Sequence, residues 1–215
     1  FRHSENNGHL VQLPKATFGV LQLSLLLTYA LSITWSTPED VLFYLNSAGV
    51  LLQLLAFGML WRGFYRSAKF SLGEGSIISW LFRLGIASLA LKVVVQAAVA
   101  VPFVAKVSYV IRNFVIGFIH LAMLGAFSLT LIALLLYQGW LPNTKMAVKG
   151  YWLLVLGFAL TEAILFLQGT LLWAGQGFVP NYYEIIFGAT LLLPLALLII
   201  NFSFSRVGNN KPIKL

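Results

Sequence analysis

Apolar runs of about twenty residues recur along almost the whole chain, and they restrict its fold more than any other feature. A run of that length in helical form crosses roughly 30 Å of hydrocarbon. The runs are continuously apolar rather than alternating, so they specify helices and not the strands of a membrane barrel. Composition agrees: 60% of residues are hydrophobic, only 9% are charged, and mean hydropathy is +0.89. A water-soluble domain of this size needs far more charged surface. The expected fold class is therefore all-α, a polytopic transmembrane helical bundle.

Six spans are predicted: Ala16–Trp35, Val41–Trp61, Ile77–Val104, Val107–Tyr137, Tyr151–Ala174 and Ile185–Ser205. The turn Thr37-Pro38-Glu39-Asp40 and the segments 62–76, 138–150 and 175–184 connect them. Residues 1–15 read as a polar loop or linker, 16–205 as the bundle, and 206–215 as a polar tail. The chain opens at Phe1 with an aqueous-looking stretch, from which a longer protein with upstream sequence is expected.

Charge placement supports this count. Six spans gather Arg2, Lys15, Arg62, Arg66, Lys69, Lys145, Lys149, Arg206, Lys211 and Lys214 on one side. The other side holds Lys106 with Glu39, Asp40 and Glu184. By the positive-inside rule both ends of the chain are expected to be cytoplasmic. Trp35, Trp61, Trp80, Trp140, Trp152 and Trp173 all fall near span ends, where an amphipathic indole prefers the interface. The net charge of +8 is thereby assigned to headgroups and topology, not to nucleic acid. The bilayer is the expected partner, with further membrane subunits or upstream spans beside it, and a bacterial cytoplasmic membrane the expected location.

An ionisable group inside a bilayer is costly, which makes it a functional candidate by default. Lys92 and Glu162 each lie roughly 18 Å from one membrane face, and His120 roughly 20 Å, counted at about 1.5 Å per helical residue. Gln53 falls at a similar level. Span three carries a polar stripe, Gly85, Ser88, Lys92 and Gln96, and span four groups Asn113, Gly117 and His120 on one face. Three uses are open for this layer: a structural Lys92–Glu162 ion pair with His120 beside it, a proton or ion path, or an imidazole ligand to haem or copper.

Other candidates are weaker. Arg83 and Arg112 lie near span ends and can snorkel to the interface. Arg112 is also a candidate for holding an anion such as a lipid phosphate or a haem propionate. His3, Glu5 and His9 have a spacing that suits a loop metal site, and equally an ordinary polar linker. Pro102 and Pro194 are expected to kink or end their helices, and Gly117, Gly125, Gly157 and Gly188 to be packing contacts. There is no cysteine, and no phosphate loop, HExxH or Ser–His–Asp set is evident.

The stretch from Ile111 to Gly125, Ile-Arg-Asn-Phe-Val-Ile-Gly-Phe-Ile-His-Leu-Ala-Met-Leu-Gly, resembles a segment of bacterial polytopic proteins grouped with the haem-copper oxidase catalytic subunit. Leu31–Trp35 and the segment from Leu91-Lys92 through Gln96 to Pro102 are similar to companion segments of that group. The resemblance implies a protein of about twelve spans of which this chain is the C-terminal half, and makes His120 the possible haem or copper ligand. A haem-copper centre needs several intramembrane histidines, whereas the spans here hold only His120. Three functions are therefore expected as alternatives: a haem-copper-oxidase-like or respiratory component, a transporter or channel using Lys92, His120 and Glu162, or an accessory subunit without chemistry.

Overall fold

A computed structural model describes residues 15–29, 39–67 and 76–208. All regular structure among these residues is helical. The helices are α1 (Lys15–Thr28), α2 (Asp40–Ser67), α3 (Ile77–Ala98), α4 (Pro102–Val110), α5 (Arg112–Tyr137), α6 (Lys145–Trp173) and α7 (Tyr182–Gly208). Five of them, α2, α3, α5, α6 and α7, are long and apolar enough to cross a membrane. Their outward faces carry large apolar side chains such as Leu191, Leu195, Leu198 and Phe202 of α7, all exposed. Such a surface suits lipid and not water, as expected of a multi-pass membrane protein. The first expected span appears as the 14-residue α1, and its remainder, residues 30–35, lies outside the described residues.

The boundaries differ from the sequence expectation in an informative way. The expected span three continues to Val104 and span four begins at Val107, with two residues between them. Instead α3 ends at Ala98, the short α4 intervenes, and extended Ile111 (φ −96°, ψ 96°) separates it from α5. Pro102 explains the first break. Its ring disfavours helical backbone at the preceding residue, and its fixed φ suits the first position of a new helix. Pro194, by contrast, sits inside α7 without ending it. α6 starts six residues before the expected Tyr151, because Thr144 caps it by accepting the Ala147 N–H at 3.2 Å. Lys145 and Lys149 thus ride on the exposed face of the first turns.

The chain divides into two compact units. In the first, residues 1–71 and 96–105, α1 and α2 approach closely at Gly49, where a Cβ would lie 2.7 Å from the Thr28 nitrogen. α2 buries Phe43, Asn46, Val50, Gln53 and Ala56, spaced three and four apart as one helical face requires. Two of these are amides with partners. Gln96 Nε2 donates to Gln53 Oε1, and Asn46 Nδ2 donates to the Val99 carbonyl at 3.4 Å.

The second unit, residues 72–95 and 106–215, holds α5, α6, α7 and most of α3. Its core includes Leu81, Leu121, Leu129, Ala133, Tyr151, Phe158 and Ala196. Glycines set the helix spacing. A Cβ on Gly125 would lie 2.6 Å from Phe158 and 2.7 Å from Ser88 Oγ, so α3, α5 and α6 meet at that point. Gly150 and Gly157 of α6 do the same against Ile200 and Leu192 of α7. Gly117, Gly125 and Gly157 are therefore packing contacts as expected. Gly188 is not: it is exposed, with open space around it.

Candidate functional site

α5 and α6 run antiparallel, and their contacts keep one register. Phe114 meets Gly169, Gly117 meets Phe166, His120 meets Glu162 and Gly125 meets Phe158. Each step of three to five along α5 is matched by a similar step back along α6. The expected shared face of α5 is real: Asn113 donates to the Tyr182 hydroxyl of α7 at 2.8 Å, while Gly117 and His120 turn toward α6.

At the centre of this seam, His120 Nδ1 faces Glu162 Oε1 at 3.7 Å. That separation is within ion-pair range when His120 is protonated, and it is longer than a hydrogen bond. Glu162 is buried, and neither carboxylate oxygen nor Nδ1 has a hydrogen-bond partner among the described residues. The His120 side chain is 33% exposed, although its Nδ1 is buried. Burying unsatisfied polar groups costs about 1–3 kcal/mol each, so the arrangement opposes stability.

Lys92 belongs to the same level by construction. It lies one turn beyond Ser88, Glu162 one turn beyond Phe158, and Leu121 one turn back from Gly125, and those three starting residues touch. Its amine stands over the Phe118 ring, 5.4 Å from the centroid. The acid's ion-pair contact is with His120, where the structural alternative expected Lys92. Gln53 belongs to the first unit, hydrogen-bonded by Gln96. Lys92 is six residues from the end of α3 (roughly 9 Å) and His120 eight from the start of α5 (roughly 12 Å). Arg112 is the exposed first residue of α5, and Arg83 is exposed on α3. His3, Glu5 and His9 lie outside the described residues.

Two features escaped the sequence reading. The first is a π-helical segment, Leu121–Ser128, that begins at the residue after His120. Within it Ser128 Oγ donates to the Met123 carbonyl at 2.8 Å, and the following Leu129 N–H bonds to Leu124. Short π segments concentrate at functional sites. The second is Gln168, fully buried, whose Nε2 donates to the Gly177 carbonyl at 3.1 Å and whose Oε1 accepts from Val179 N–H at 2.9 Å. It clips down the connection between α6 and α7, which turns through positive φ at Gly175, Gly177 and Asn181.

In comparison with known proteins, no family model, no curated protein and no solved structure matches this chain. Among the described residues no three His, Cys, Asp or Glu side chains gather where a metal ion could be held. A haem-copper centre built from several imidazoles does not fit these residues.

Proposed function

We propose that this chain is a multi-pass membrane protein that moves protons, with His120 and Glu162 as the exchanging pair. One observation carries the proposal: a carboxylate and the Nδ1 of an imidazole, both buried, confront each other at 3.7 Å and have no hydrogen-bond partner among the described residues. Groups that merely lock helices together are found fully hydrogen-bonded. Charge arithmetic favours a shared proton. With one proton between them the pair is neutral overall, whether it sits on the acid or is transferred to the imidazole. Net charge appears only while a proton enters or leaves, and Lys92 in the same layer offsets the negative state.

Topology enters the same proposal. Six spans with both ends cytoplasmic place the start of α5 and the end of α6 on the far face of a bacterial cytoplasmic membrane. Infrared difference spectra of the protein in lipid, taken across pH, test the exchange. They should contain a carboxyl band that disappears in Glu162→Gln and moves in His120→Gln. Spectra without any Glu162-dependent band would refute it.

A second reading keeps the resemblance to haem-copper oxidase-like proteins, as a respiratory component in which His120 is an axial ligand. It is favoured by the carboxylate behind Nδ1, the usual device for orienting a ligating imidazole. Glu162 would fix the ring and leave Nε2 for the iron or copper, which would supply the redox chemistry. Purified protein would then show a Soret band or stoichiometric copper that His120→Ala removes.

A further inference from the structure

Between the His120–Glu162 pair and the end of the bundle where α5 starts, the α5–α6 seam contains no polar side chain for about two turns. It is filled instead by two phenylalanines. Phe114 and Phe166 pack with ring centroids 6.2 Å apart and planes inclined at 48°. Each ring is seated in a notch on the opposite helix: Phe166 against Gly117, Phe114 against Gly169. A Cβ on Gly169 would lie 2.9 Å from Phe114, and one on Gly117 would lie 3.1 Å from Phe166. The rings therefore occupy the space that a side chain at either glycine would take. Beyond the rings Asn113 is bonded to Tyr182, while Gln168, between Phe166 and Gly169 on α6, is turned to the α6–α7 connection and hydrogen-bonded there.

We infer that Phe114 and Phe166 form an apolar plug that closes the proton-exchanging pair from the end of the bundle carrying Asn113, Tyr182 and Gln168. Apolar constrictions block protons and ions by excluding the water that would carry them. The two glycines are what make the closure tight, since any side chain there would hold the rings away from the facing helix. The site then opens toward this end only when one ring leaves its notch, a rotamer change within the reach of a half-buried side chain. On this arrangement Asn113 and Tyr182 are the last polar groups a proton meets before the plug.

The inference rests on the proposed role of the pair, but its test does not require proton movement. Because the chain has no cysteine, Glu162→Cys gives a single thiol at the site. Sealed vesicles would be treated with a membrane-impermeant methanethiosulfonate from either side, with Phe178→Cys in the exposed α6–α7 connection reporting which side that connection faces. Labelling of Glu162→Cys from that side should be slow, and Phe114→Ala or Phe166→Ala should speed it on the order of tenfold. That is the change produced by lowering a barrier by roughly 1.4 kcal/mol. Phe166→Leu, which keeps apolar bulk, should give a smaller rise and serves if an alanine variant fails to fold. Unchanged rates in folded variants, or a Glu162→Cys thiol already as reactive as the Phe178→Cys control, would overturn the plug. A plug that holds in a protein that moves no protons would refute only the proposed function.

Discussion

At the scale of single residues, the pair stands out because its neighbours are so well satisfied. Thr161, one position before Glu162, donates back to the Gly157 and Phe158 carbonyls, and Tyr151 donates to the Pro142 carbonyl at 3.0 Å. Gln168, six residues beyond the acid, uses both ends of its amide. Replacing Gln168 with Leu should remove two hydrogen bonds, each worth about 1 kcal/mol, and loosen the α6–α7 connection. Limited proteolysis in detergent should then cut near Gly175–Asn181 faster than in the unaltered protein; equal cutting would mean the clip is dispensable. The depth of His120 and Glu162 was legible from their positions in apolar runs. Their facing geometry was not, since it depends on the register of two helices that nothing local specifies. Gln168 was passed over because an amide near a span end ordinarily meets water.

At the scale of elements, the π segment explains how α5 keeps one straight seam. Gly117, Leu121, Gly125, Leu129 and Ala133 are all buried, each four residues from the last. Four residues overshoot an α-helical turn of 3.6 and fall short of the wider π turn, so alternating the two keeps the row in line. This row is visible in the sequence as small and large residues at a constant spacing of four, although a helix period of 3.6 would have been assumed. Two outcomes follow. Gly125→Val should destabilise the bundle by about 1–3 kcal/mol, because its Cβ and methyls collide with Phe158 and Ser88. Thermal unfolding in detergent measures this. Deleting exposed Phe127 within the π segment should cost less than deleting exposed Leu131 in the α-helix that follows, because the segment can contract to regular helix and absorb the loss. Equal losses would show that the segment has no slack.

At the scale of the whole molecule, the helical membrane class was readable from apolar run length alone, and five of the expected spans correspond to long apolar helices. The break between α3 and α5 was harder to read, because residues 98–111 are mostly apolar, with Pro102 and Lys106 the main marks of an interruption. The proposed topology makes a direct prediction. A thiol introduced at exposed Asn143 should react only from the cytoplasmic side, and one at exposed Phe178 only from the opposite side. Reaction of both from one side would contradict the six-span arrangement. If protons pass through the His120–Glu162 pair, proteoliposomes under an imposed membrane potential should show a proton flux. That flux should be abolished by Glu162→Gln and greatly reduced by His120→Gln, in variants that remain folded. A flux that persists unchanged in Glu162→Gln would contradict it.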